Sequence, residues 1–172
     1  MFHRKLSETL RQSLAAFIEE HHTPPIQRQV KNTCSMPTFA EPLIMDGCST
    51  LSLEDALKAV DVGFSEALLD LIDETGKKDS EIYKKANISK QHFSKIRNNP
   101  NYKPTKATAL ALCIALELDL ERTKELIGRA GYALTNSSKF DLIIQYFIEQ
   151  HKYNIVEINI ALYEFDQNLL GA

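Results

Sequence analysis

The sequence predicts an all-α protein, and three observations carry that expectation. Apolar residues recur at steps of three and four through most of the chain. Capping residues stand immediately before those apolar segments. The one β-branched stretch, Ile155, Val156, Ile158 and Ile160, has no second strand pattern to pair with, so it too is read as helix. With 172 residues, 44% of them hydrophobic, the chain can bury a core. No apolar run reaches the ~20 residues of a membrane span, and the opening MFHRKLSETLRQSL is charged where a secretory signal would be apolar. A cytoplasmic protein with no membrane partner is expected.

Residues 2–20 place Phe2, Leu6, Leu10, Leu14, Phe17 and Ile18 on one face of an amphipathic helix. That stripe must be covered by this chain's own core, by a partner or by a second copy. Between His22 and Thr50 the periodicity is lost, and Pro24, Pro25, Pro37 and Pro42 mark a linker of about thirty residues, longer than connections inside compact domains. The expected layout is an N-terminal amphipathic helix over 1–21, a Pro-rich linker over 22–50 and a helical domain over 51–172. Ser52 with Asp55 would cap a short helix carrying Leu53, Ala56, Leu57 and Val60. Phe64, Ala67, Leu68, Leu71 and Ile72 form the next, closed by Gly76.

Further on, Thr105 caps ATALALCIALEL, apolar nearly all round as a central helix must be. Asp119 caps LERTKELIGRA, with Leu120, Thr123, Leu126 and Ile127 inward and Gly131 at its end. Ser137 or Ser138 starts KFDLIIQYFIEQ, whose Phe140, Ile143, Ile144, Phe147 and Ile148 share a face, and Asn154 with Glu157 starts IVEINIALYEF.

Function is concentrated in residues Asp79 to Lys106. Lys84, Lys85, Lys90, Lys95, Arg97, Lys103 and Lys106 oppose only Asp79 and Glu81, leaving roughly five positive charges in a chain of net charge −3. A helix-turn-helix needs a buried residue on its first helix, a sharp turn, an apolar residue beyond it, an N-cap and two inward residues on the second helix. Ile82 and Ala86, Asn87, Ile88, Ser89, and Phe93 with Ile96 fill those places. Asn suits the turn because it tolerates the left-handed conformation. Lys90, Gln91, Ser94 and Lys95 then project outward, Lys suiting guanine and Gln adenine. His92 lies at the boundary, where it reads a base, touches a phosphate or rims the core.

Residues 64–130 resemble the five-helix lambda-repressor-like domain, matching at Ile82, the turn, Ile88-Ser89, Phe93, Ile96, Asn98 and Lys103-Pro104. The resemblance implies that the helix at 90–98 reads the major groove through Lys90, Gln91, His92 and Lys95. It implies phosphate contacts at Ser94, Arg97, Lys103 and Lys106. Residues 64–171 are more closely similar to a helical module at the C-terminal end of bacterial proteins that carry a macro domain, the ADP-ribose-binding fold. The similar stretches include FSEALLDLIDETG and YKKANISKQHFSKIRNNPNYKPTKATALALCIALELDLERTKELIGRAGYAL. The helix at 2–20 resembles the last helix of such a macro domain. Its Gly-rich loop and parallel strands are missing, so ADP-ribose binding is not carried over and no cofactor is expected. The implied fold is a five-helix repressor-like helix-turn-helix domain with two extra C-terminal helices and a separate N-terminal amphipathic helix.

Three features depart from the repressor pattern, one of them the loop Asn98-Asn99-Pro100-Asn101-Tyr102, longer and more aromatic than a simple Asn-Gly turn. Tyr83 stands where a small residue lets the two helices approach, and Asp79 stands where an uncharged phosphate donor is usual, with a charge that repels the DNA backbone. The leading expectation is a sequence-specific regulator of transcription binding double-stranded DNA as a homodimer. The alternative is a protein-interaction or regulatory module for a macro-domain partner, with little DNA affinity, using the stripe at 2–20 and the C-terminal helices. An enzyme is not expected, because no nucleophile has a base at a recognised spacing. Cys34, Cys48 and Cys113 form no paired C-x-x-C, and His21-His22 lack further ligands at metal spacing, so neither a disulfide framework nor a metal site is expected.

Overall fold

Eight α-helices and no strand make up residues 6–23 and 63–171, which are the residues described by the computed structural model. They are α1 (Glu8–His21), α2 (Phe64–Thr75), α3 (Asp79–Lys85), α4 (Lys90–Asn98), α5 (Lys106–Leu116), α6 (Leu120–Arg129), α7 (Lys139–Glu149) and α8 (Ile155–Glu164). No helix among the described residues is long and apolar enough to cross a membrane. The Pro-rich stretch and the helix expected behind Ser52 lie outside the described residues.

Five helices start at side-chain caps. Ser89 accepts from the amide of His92, Thr105 from Thr108, Asp119 from Arg122, Ser138 from Asp141, and Asn154 from Val156. Each cap satisfies an amide that the first turn leaves without a partner. Helix ends are less conventional. Asn87, Glu117, His151 and Asp166 all hold positive φ, between 52° and 61°, in the position just past a helix where glycine is usual. At each, two amides reach back to orphan carbonyls, as where Ile88 N–H bonds Tyr83 C=O at 2.9 Å and Lys152 N–H bonds Phe147 C=O at 2.9 Å.

Two helices form the centre. On α5 every residue from Thr108 to Leu116 is buried, because α2, α3, α6 and α8 all pack on it. On α7 Leu142, Ile143, Ile144, Phe147 and Ile148 are at most 1% exposed, with α1, α6 and α8 around it. This extends the sequence reading, which put α7's apolar residues on one face. Tyr146 and Leu142 are buried as well, since α1 covers a second side.

That cover corrects the expected layout. The N-terminal helix is not separate: Leu6, Leu10, Leu14 and Ile18 join the same apolar core as the rest. Phe17 meets the ring of Tyr146 edge-on at 5.3 Å. The amide of Leu6 donates to Glu164 Oε1 at 3.1 Å, and Arg11 lies 3.8 Å from the other oxygen, tying the start of α1 to the end of α8. Burying four large aliphatic side chains stabilises the arrangement by about 1.5–3 kcal/mol each, which outweighs leaving the stripe in water.

Candidate nucleic-acid interface

Helices α3 and α4 are joined at Ala86 to Ser89, where Asn87 adopts φ 54°. Ile82, Ala86, Ile88, Phe93 and Ile96 are all buried, at 7% exposure or less, so the two short helices are anchored from below as the spacing predicts. Tyr83 is half-buried and its ring lies 5.9 Å from that of Phe93. The aromatic departure is therefore packed between the helices.

With Phe93 and Ile96 inward, Lys90, Gln91, Ser94 and Lys95 are exposed on the opposite side of α4. Lys90, Gln91 and Lys95 have no side-chain hydrogen bond or ion pair among the described residues. Ser94 Oγ accepts from Asn98 Nδ2 at 3.1 Å, which leaves its own proton to donate. The half-buried His92 is committed differently: its Nε2 is 3.2 Å from the hydroxyl of Tyr102, and the rings meet edge-on at 6.0 Å. His92 thus braces α4 against the following loop.

The cations expected on phosphates divide in two. Arg97 forms an ion pair with Asp79, which joins the end of α4 to the start of α3 and neutralises the carboxylate that would repel DNA. Lys106 is drawn inward to Asp141, a fully buried side chain that also accepts from the amide and hydroxyl of Thr135 at 2.9 and 3.0 Å. Lys85 pairs with Glu117, at the end of α5, so its charge too is answered within the chain. Lys103 stays exposed, its ammonium 5.8 Å from the centre of the Tyr132 ring. Tyr132 in turn donates its hydroxyl proton to Pro104 C=O at 3.1 Å, which pins the loop carrying Lys103. The cations of this stretch without a carboxylate partner among the described residues are Lys84, Lys90, Lys95 and Lys103.

The sequence marks the loop from Asn98 to Tyr102 only as a departure from the repressor pattern, not as part of a site. Ser94, Lys95, Asn98, Asn99 and Tyr102 line an open depression at the C-terminal end of α4. Asn99 Oδ1 accepts from Asn101 N–H at 3.1 Å. The clustering of Asn98, Asn99 and Asn101 was the available signal, since Asn stabilises tight turns through such bonds.

Elsewhere, burial pushes the Cys113 thiol up to about 12, so it stays protonated and packs as a small apolar side chain. No protein-family model, no curated protein and no solved structure matches the chain.

Proposed function

We propose that this chain is a sequence-specific double-stranded DNA-binding regulator of transcription, with α2 to α6 as a five-helix repressor-like unit and α4 as the helix that enters the major groove. One observation carries the reading: Lys90, Gln91 and Lys95 are exposed together on the face of α4 opposite its buried anchors and are not consumed by bonds among the described residues. Lysine and glutamine there offer donors to guanine and adenine edges. Ser94, Lys84 and Lys103 are the groups for the phosphates, while Arg97 and Lys106 serve mainly as struts.

A domain of this size reads DNA tightly as a dimer on two half-sites. Val156, Tyr163 and Leu169, at 45%, 75% and 43% exposure, are the large exposed apolar residues among those described, and all lie on α8 or just beyond it. A second copy packs there in this reading. Burial of Leu6, Leu10, Leu14 and Ile18 in this chain's own core counts against a macro-domain partner seated on that stripe.

Selection from a random duplex library at a stated salt concentration tests the proposal. The expected result is an enriched motif with two inverted half-sites. Absence of enrichment, with binding that is missing or insensitive to sequence, overturns it.

A further inference from the structure

Beyond α8 the chain does not leave the core but turns back toward the helix pair that carries the candidate interface. Asp166, at φ 53°, reverses its direction, and Gln167 N–H bonds Leu162 C=O at 2.8 Å. The side chain of Asn159 then holds the backbone of Leu170 at both ends. Leu170 N–H donates to Asn159 Oδ1 at 2.8 Å, and Asn159 Nδ2 donates to Leu170 C=O at 3.1 Å. Leu170 is 1% exposed, inserted into the core beside that clamp.

Gly171 completes the approach. Its carbonyl accepts from Asn87 Nδ2 at 3.3 Å, and its φ is 71°. A Cβ at this position would collide with the carbonyl oxygen of Ala86 and lie 2.9 Å from that of Asn87. The contact therefore falls on the two residues whose backbone angles set the direction of α4 relative to α3. Asn87 is in a left-handed conformation, which Asn tolerates better than other residues with a Cβ, and its side-chain bond to Gly171 adds a tertiary hold on it.

We propose that residues 166–171 are a strap that fixes the α3–α4 turn, with Asn159 and Gly171 as positioning residues acting through Asn87. Its consequence for DNA reading rests on the function proposed above, but the strap itself does not. The test is amide hydrogen exchange on the full chain without DNA, comparing wild type with Gly171→Ala, Asn159→Ala and the control Asn168→Ala, a residue on the same strap that is exposed.

Gly171→Ala and Asn159→Ala are expected to speed exchange over residues 86–93 by about ten-fold while α1 and α7 keep wild-type rates, as local opening requires. Asn168→Ala is expected to leave the turn unchanged. Either an unaltered turn in both strap variants, or an equal rise in α1 and α7, overturns the proposal. Asn159→Ala guards against misfolding of the glycine variant, since it removes the clamp without adding an atom. A wild-type chain that binds no duplex, yet whose turn responds as stated, removes the DNA reading and supports the strap.

Discussion

The ammonium of Lys106 lies 2.6 Å from Oδ1 and 2.7 Å from Oδ2 of Asp141, a side chain with no solvent exposure on a different helix. The first residue of α5 is thereby locked to the first turn of α7, and Thr135 in the intervening loop is held by the same carboxylate. Removing Asp141 leaves Thr135 N–H and a half-buried ammonium without their partner. Asp141→Ala is expected to cost about 3–5 kcal/mol, read from the midpoint of denaturant unfolding. Lys106→Met, which keeps the aliphatic stem, should cost at least as much, about 3–5 kcal/mol, because it strands the buried carboxylate without its counter-charge.

Under the proposed DNA binding, the same pair separates two roles. Lys95→Ala is expected to relax base preference by ~1–3 kcal/mol, and Lys103→Ala to weaken all duplexes alike and reduce the salt slope by about one. Lys106→Met, measured where it is fully folded, should leave the salt slope unchanged, because its charge is answered by Asp141. Titration of a fluorescent duplex across a salt series reads all three.

His151 ends α7 at φ 52° with no glycine to relieve the contact between Cβ and carbonyl. His151→Gly is expected to stabilise the fold by about 1 kcal/mol, since the left-handed conformation costs an ordinary residue that much. Asn87→Gly should gain less, as Asn tolerates the conformation better and also bonds Gly171. Shifts in unfolding midpoint at constant m-value check both.

Glu117 carries a pH dependence of known sign. The hydrogen bond from Lys85, then its charge, hold the Glu117 carboxyl below the usual carboxylate range. A group whose value is lowered on folding binds its proton more readily when unfolded, so it adds stability above its unfolded value. That contribution is lost as the pH falls through the lowered folded value. Glu117→Gln should flatten this part of the stability profile, by only ~0.2–1 kcal/mol because the pair is solvent-exposed.

Leu14 tests whether α1 belongs to the core. It is fully buried against the rest of the protein, so Leu14→Ala should cost about 2–5 kcal/mol within one cooperative transition. A negligible loss, or a separate early transition, would return α1 to an independent element.

Local chemistry in the sequence determined the helices. Apolar spacing and the caps Ser89, Thr105, Asp119 and Asn154 name elements because helical hydrogen bonds and capping act within four residues. The buried set Ile82, Ala86, Ile88, Phe93 and Ile96 was legible for the same reason, and with it the outward Lys90, Gln91 and Lys95. Glu117, His151 and Asp166 were not legible as helix ends, because tertiary packing and backbone bonds there override a local preference for glycine.

What only the tertiary structure decided is which charges are spent and which faces are covered. Arg97 and Lys106 carry the same positive charge as Lys95, yet they meet Asp79 and Asp141, 18 and 35 positions away, and no local pattern predicts such a meeting. Likewise, an amphipathic stripe records that α1 must be covered but not by what. The answer, α7 of this same chain, depends on long-range packing that spacing along one helix does not encode.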